Sequence, residues 1–317
     1  SSTDAEFCYD AVNHAACSIA MQAMGVPISM VRCYLTSVQN MQYFLQTGFG
    51  LLDLSYGGTA DSICMGLTQG SGASPGAWSA TSTVIVGAYK RQGYGATLHS
   101  GWSGNEVHLA ALLYVDDTDL LHSPPLPVVP LKDLVQWTQN ATNCWANLQR
   151  ATGGNLKPAK CYWYLMSYKF VNGIPKLRSK SELAQHTICI PQPDNSHIPI
   201  ELLDPSYPSK VLGIWSTPAG DSSKMMEHMV EKGMKWATRV QSSTLHPREV
   251  WYSFSTQALP AVRYGLISLM ASRQSIDNHL PKWYFDCLPH LGINRSIFSG
   301  CMHFFIGNSV QTKGNIV

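Results

Sequence analysis

Between residues 107 and 121 an apolar run, Val107 to Val115, ends in two adjacent carboxylates, Asp116 and Asp117, and apolar sequence resumes at Leu120-Leu121. This pattern leaves the chain few options. The run reads as a buried strand and Leu120-Leu121 as the start of a second one, so Tyr114-Val115-Asp116-Asp117 is predicted at the tip of a tight hairpin. Two like charges ~4 Å apart at an effective dielectric near 20 repel by on the order of 4 kcal/mol. Such repulsion favours protonation of one acid or recruitment of a cation. A hard divalent ion such as Mg²⁺ suits the site, because it takes oxygen ligands and keeps water or phosphate on its remaining positions. A solvated acidic turn is the bland reading of an isolated Asp-Asp pair, so the weight falls on the rest of the chain.

The chain has 317 residues, 45% of them hydrophobic, enough for two packed units. No signal peptide and no apolar run of ~18 residues is present, so no membrane partner is expected. Without an initiator Met, the chain reads as a segment of a longer protein. Nine cysteines lack Cys-x-x-Cys spacing, and several, Cys17 and Cys144 among them, sit on apolar helical faces and read as reduced core thiols. The expected compartment is therefore intracellular, nuclear or cytoplasmic rather than secreted, and structural zinc is not expected. The sequons at Asn140 and Asn294 read as chance matches. Net charge is +2, but residues 1–150 hold 5 Lys and Arg against 10 Asp and Glu, and residues 151–317 hold 17 against 10. An acidic half followed by a basic half suits a polyanionic ligand.

Helical spacing of Val12, Ala15, Ala16, Ile19, Ala20 and Ala23, with a stop at Gly25-Val26-Pro27, predicts a helix over 11–24, with Asp10 as its cap. Val31, Tyr34, Leu35, Val38 and Met41 predict a second. The glycines at Thr47-Gly48-Phe49-Gly50 and Tyr56-Gly57-Gly58 predict a hairpin. The Gly- and Ser-rich loop from Gly66 to Gly76 feeds a helix, with Ser74 as cap and Pro75 as the first helical residue. A stiff Pro-rich connection at 123–130 precedes a helix carrying Leu134, Trp137, Ala141, Cys144, Trp145 and Leu148. Strands follow to about residue 216. A helix over 221–243 places Met226, Met229, Val230, Gly233 and Val240 on one side and Lys224, Lys232, Lys235 and Arg239 on another. Further helices are expected over 247–290, giving an α+β unit followed by an all-α unit.

Five segments occur in order: Asp4-Ala5-Glu6-Phe7-Cys8-Tyr9-Asp10; Thr68-Gln69-Gly70-Ser71-Gly72-Ala73-Ser74-Pro75; Tyr114-Val115-Asp116-Asp117; Gly153-Gly154-Asn155-Leu156-Lys157-Pro158-Ala159-Lys160-Cys161; and Lys210-Val211-Leu212-Gly213. Together they resemble motifs A to E of the reverse transcriptases, in the style of non-LTR retrotransposon and group II intron enzymes. The resemblance implies a right-hand polymerase palm, an antiparallel sheet packed on helices, over 1–205. It further implies a primer-grip hairpin over 206–220 and an α-helical thumb over 221–317. Asp4 and Asp116 would hold two Mg²⁺ ions, for which Mn²⁺ can substitute, with Asp117 beside them and the Ala5 carbonyl completing one shell. Two metals ~4 Å apart activate a primer hydroxyl and stabilise the leaving pyrophosphate, which needs carboxylates from separate strands.

By the same resemblance Tyr9 is the steric gate against a ribose 2′-hydroxyl, and Gln69 and Gly70 bind the incoming deoxynucleotide, with small residues needed where backbone nears the base pair. Lys160 would neutralise or protonate the leaving group. Gly213 would lie in the primer grip, and Lys224, Lys232, Lys235 and Arg239 would track template-primer phosphates. Trp251, Tyr252, Tyr264, Trp283 and Tyr284 are expected in the thumb core. The implied partners are an RNA template, a DNA primer and dNTPs.

The fingers segments that precede motif A in that family are missing, so the reaction belongs to the parent polypeptide and this chain alone is expected to be inactive. Nothing resembles a ribonuclease H or endonuclease module. A viral RNA-dependent RNA polymerase fits less well, because that family usually has Gly before the acid pair and lacks the aromatic gate. The alternative from another class is a domesticated, catalytically silent RNA-binding relative, which gains nothing from acids facing phosphate. An Asp-rich prenyl-transfer site would want its acids on a helix wall.

Overall fold

The computed structural model describes residues 1–6, 9–59, 63–124, 129–269, 271–279 and 287–292, with no account of the side chains of residues 4–6, 273, 277, 279 and 288. Phe7, Cys8, Trp283, Tyr284 and the sequon at Asn294 lie outside the described residues. The protein has a mixed α+β fold with an antiparallel-rich sheet, and it divides into two units, Ser1–Asp204 and Pro205–Val317. Among the described residues no helix is long and apolar enough to cross a membrane.

The first unit begins with β1 (Ser2–Glu6), α1 (His14–Ala23) and α2 (Ile28–Gln39). The hairpin β2 (Gln42–Thr47) and β3 (Gly50–Gly57) turns at Gly48-Phe49, where the glycine spacing predicts it. There follow α3 (Ser74–Arg91), the ribbon β4 (Ala96–His99) and β5 (Glu106–Leu109), then β6 (Ala111–Tyr114) and β7 (Asp117–Leu120). After them come α4 (Leu131–Ala151), β8 (Asn155–Leu156), a 3₁₀ turn at Pro158–Lys160 and β9 (Tyr162–Tyr164). The ribbon β10 (Tyr168–Val171) and β11 (Ile174–Leu177), the short α5 (Lys180–Leu183), β12 (Ile188–Pro191) and β13 (His197–Leu203) complete it.

The main sheet runs β12-β13-β9-β1-β7-β6, with β8 also paired to β1. Among the described strands only β13 and β9 pair in parallel. Held by β7 on one edge and by β8 and β9 on the other, β1 is an interior strand. The main core lies between this sheet and α3 and α4, around Tyr89, Trp145, Trp163, Leu156, Ile188 and Ile190. Edge strand β12 is closed by a side chain of α4: Gln139 donates to the Cys189 carbonyl at 2.7 Å and accepts from the Cys189 amide at 2.8 Å. Such pairing satisfies an edge that would otherwise invite another strand.

Three local expectations are corrected. The run Val107 to Val115 is two strands, broken at the buried Ala110, because β5 pairs with β4 in a ribbon of its own while β6 pairs with β7. The acid turn is accordingly reached by the four residues of β6, and Leu120 closes β7 rather than opening it. Helix α1 starts at His14 and is capped by Asn13, whose side chain accepts from the amides of Ala15 and Ala16. Asp10 instead accepts a hydrogen bond from Gln69. Ser74 does not cap α3; it is inside the helix and its hydroxyl donates to the Thr68 carbonyl at 2.8 Å.

The second unit opens with the hairpin β14 (Ser209–Val211) and β15 (Ile214–Ser216), followed by α6 (Ser223–Gln241), α7 (Pro247–Ser253), a π-helical turn at Phe254–Ala258, α8 (Leu259–Leu266) and α9 (Arg273–His279). Its core gathers Met225, Met226, Met229, Ala237 and Val240 of α6 against Val250, Phe254, Ala258 and Val262. Gly265 of α8 meets Met225 and Met229 so closely that a Cβ there would displace them. Trp251, Tyr252 and Tyr264 are exposed and not in this core, because the buried stripe of these helices is the set just named. The Tyr264 hydroxyl donates to the Leu212 carbonyl at 2.7 Å and steadies the β14–β15 turn.

Candidate functional site

The acid pair sits where β6 turns into β7. Tyr114 and Asp117 are register partners, so the loop is Val115-Asp116. The first residue of a two-residue hairpin turn with positive φ is normally Gly, Asn or Asp. Here Val115 takes that place at φ 58°, which for a β-branched residue is a sterically costly conformation. Two contacts hold it there. The Trp78 indole, in the first turns of α3, donates to the Val115 carbonyl at 2.8 Å, and Val115 packs on the cluster of Val12, Cys17, Leu67, Ala77 and Trp78.

Asp117 is the register partner of Asp4 across β1 and β7. Directly opposed residues of an antiparallel pair lie on one face of the sheet. Positions 4 and 117 therefore share a face on neighbouring strands, and Asp116 stands in the adjoining turn. Residues of this type are hard oxygen donors, which suit Mg²⁺ or Mn²⁺ better than a metal that favours nitrogen or sulfur. Among the described side chains, which do not include Asp4, no group of three His, Cys, Asp or Glu is gathered for a metal.

Tyr9 lies against the same support. Its ring meets Trp78 edge to face, with centroids 6.4 Å apart, and its carbonyl accepts from the Leu67 amide at 2.6 Å. The loop after β1 is thereby tied to the loop before α3. His14 adds a second tie: buried, it bonds through Nε2 to the Gly66 carbonyl at 2.6 Å and through Nδ1 to Gln39 at 3.0 Å. Gly66, at φ 81°, crosses the backbone of Asp10 with no room for a side chain. Gln69 reaches Asp10 Oδ2 at 3.2 Å. Gly70 follows with φ 90° and open space around it. The far side of this loop is anchored by the Tyr34 hydroxyl on Ser74 at 3.1 Å. Burial pushes the Tyr34 phenol up from its ordinary value and the Ser74 bond pulls it partly back.

Lys160 is exposed at the end of the 3₁₀ turn that lies beside β1. The fold of the first unit thus brings together Asp4, Ala5, Tyr9, Gln69, Gly70, Asp116 and Asp117 through a shared frame, and sets the turn carrying Lys160 next to β1. Gly213, Lys224, Lys232, Lys235 and Arg239 belong to the second unit. Gly213 has φ 83° in the β14–β15 turn, and Lys224 is engaged by Glu227 at 2.8 Å. Two structural members of the site, Trp78 and His14, were not singled out by the sequence. The only signal for Trp78 was an aromatic in the first turn after the Gln69-Gly70 loop. The chain matches no protein-family model and no curated protein.

Proposed function

We propose that the chain is the palm and thumb of a reverse transcriptase, carrying out template-directed nucleotidyl transfer within a polypeptide that also supplies the fingers. One observation carries the reading: a strained Val115-Asp116 turn, pinned by Trp78, that sets an acid pair beside Asp4 in register across β1 and β7. Strain of this kind persists where surrounding structure over-determines it, and it clusters at active sites. A solvated surface turn needs neither the strain nor the indole.

In this reading Asp4, Asp116 and Asp117 hold two Mg²⁺ ions, which when bound would activate the primer hydroxyl and neutralise the leaving pyrophosphate. The chain's own residues do the positioning. Tyr9, braced on Trp78, limits the space beside the sugar and so favours deoxynucleotides. Gln69 and Gly70 line the approach of the incoming nucleotide, and Lys160 offers a cation or proton to the leaving group. RNA template and DNA primer would be held by backbone charge, with Gly213 in the primer grip and the α6 cations on phosphates.

The test is primer extension by the polypeptide extended N-terminally through the fingers. Asp116→Asn removes a metal-ligand charge with little change of shape and should lower extension at least ~10³-fold, with duplex affinity measured without metal held within about twofold. Wild-type extension in that variant would refute the metal assignment.

A further inference from the structure

The loop that carries Gln69 crosses the segment that carries Tyr9, and the crossing leaves one side chain to be set. Just before Gln69 the Leu67 amide donates to the Tyr9 carbonyl at 2.6 Å, and the Thr68 carbonyl accepts from the Ser74 hydroxyl at 2.8 Å. Gly66 runs over the backbone of Asp10, where a Cβ would lie 2.5 Å from the Asp10 carbonyl oxygen. The Gly66 carbonyl is in turn bonded to His14 Nε2 at 2.6 Å. The backbone leading into Gln69 is therefore fixed by bonds and by close approach. Gln69 itself is exposed, and so is Asp10. One contact places the Gln69 amide: its Nε2 donates to Asp10 Oδ2 at 3.2 Å.

A carboxylate accepts and does not donate, whereas a glutamine amide has two N–H donors on one atom and an acceptor on the other. Against Asp10 the amide consequently has one orientation, with nitrogen toward the carboxylate and Oε1 turned away from it. Oε1 takes no further partner among the described residues. An acid at position 10 thus decides which end of the Gln69 side chain is left to a ligand, and the end it leaves is the acceptor.

We propose that Asp10 is a positioning residue, which fixes the Gln69 amide so that Oε1 accepts a hydrogen bond from the 3′-hydroxyl of the incoming deoxynucleotide. The inference rests on the polymerase reading above and adds to it the group that distinguishes a sugar able to be extended from one that is not. The 3′-hydroxyl is the one hydroxyl on a deoxyribose triphosphate's ring, and a 2′,3′-dideoxy sugar cannot make the bond. Tyr9 adjoins Asp10 in the chain and is bonded to the Gln69 loop through Leu67, so both residues stand on one crossing. Tyr9 then reads the 2′ position by exclusion and Gln69 reads the 3′ position by hydrogen bonding. A site that bonds a substrate hydroxyl rejects the analogue lacking it, because its own polar group is left unpaired. Since Gln69 is exposed, the expected discrimination is that of one ordinary hydrogen bond, about 3- to 10-fold.

The experiment is single-nucleotide primer extension by the polypeptide extended through the fingers, with a deoxynucleotide and its 2′,3′-dideoxy analogue compared by kcat/KM. Asp10→Ala should lower the preference for the deoxynucleotide about 3- to 10-fold, leaving the dideoxynucleotide value within about twofold of wild type. Asp10→Asn, whose amide can meet Gln69 in either orientation, should lower it less. In a Gln69→Met background Asp10→Ala should not change the preference further, because the two side chains act as a unit. The preference for deoxy- over ribonucleotides, set by Tyr9, should stay within about twofold in Asp10→Ala. In this chain alone, the Gln69 side-chain amide resonance, assigned by its absence in Gln69→Met, should shift in Asp10→Ala. An equal loss with both nucleotides would make Asp10 a structural or metal-binding residue and overturn the proposal. Additive effects of the two substitutions, or an amide resonance that does not move, would overturn it as well. Each of those results leaves the polymerase reading standing, whereas a wild-type polypeptide that does not extend a primer overturns that reading and the sugar assignment together.

Discussion

Two hairpins of the first unit close with two-residue turns that begin at nearly the same φ, and they are stabilised in opposite ways. Asn172 of the β10–β11 turn sits at φ 52° and is followed by Gly173 at φ 78°. Val115 of the β6–β7 turn sits at φ 58° and is followed by Asp116. Asn and Gly accept the left-handed region readily, and Asn-Gly is a favoured pair for such turns. The β10–β11 ribbon accordingly stands in solvent, with Phe170 and Ile174 exposed. Val115 takes a similar first φ, without a positive φ at Asp116 after it, at a strain of about 1–3 kcal/mol, and it keeps that φ because Trp78 and a buried cluster hold it. A turn that satisfies itself is free of the rest of the fold; a strained one is tied to it, and here the tie fixes where Asp116 and Asp117 stand.

Exchanging the turns tests that contrast most directly. Val115→Asn with Asp116→Gly should relieve strain of about 1–3 kcal/mol at position 115, less about 0.5–1 kcal/mol for the added Gly, and so raise stability by roughly 1 kcal/mol at most while lowering primer extension at least ~10³-fold. The reverse exchange, Asn172→Val with Gly173→Asp, should cost about 2 kcal/mol in urea unfolding and leave extension unchanged. Loss of extension in the second variant would erase the distinction between the hairpins. Next in size is Tyr9→Val, which should raise ribonucleotide over deoxynucleotide incorporation by roughly 10- to 100-fold. An unchanged sugar preference would make Tyr9 a packing residue of the Trp78 cluster and nothing more. The smallest effect is that of Trp78→Phe, which keeps most of the ring packing and removes the indole donor. It should cost about 1 kcal/mol and lower extension several-fold. Wild-type stability in that variant would show that packing alone holds the Val115 turn.

Particular elements show which parts of this arrangement a reader of the sequence could find. Helices α2, α4 and α6 follow their apolar spacing, with Val31, Leu35 and Val38, then Ala141 and Trp145, then Met226, Met229 and Val240 turned inward. The hairpin at Gly48-Phe49 follows its glycines. The start of α1 was misplaced because Asp10 and Asn13 are both competent caps, and Asp10 is instead bonded to Gln69 from a loop distant in the sequence. Trp251, Tyr252 and Tyr264 are expected in a thumb core, although the packed stripe of their helices lies elsewhere. The acids of the site were visible as residues, since adjacent carboxylates at the end of an apolar run are unusual. Their supports, Trp78 and His14, were not, since each acts through bonds and contacts to residues far away in the sequence, among them the Val115 and Gly66 carbonyls, that no local pattern announces.

By itself, then, the sequence determined the periods: where helices run, where glycines permit turns, that charges of one sign gather on one helix, and that two acids end an apolar run. These are properties of neighbours a few residues apart, and local sterics and burial are enough to set them. Only the tertiary structure decided that β1 is an interior strand, that Asp4 stands opposite Asp117, that Val115 is held in a left-handed turn by an indole, and that His228 lies beside Trp215. Each depends on contacts between segments far apart in the chain, whose register is chosen by the packing of the whole unit and is written in no single stretch of it.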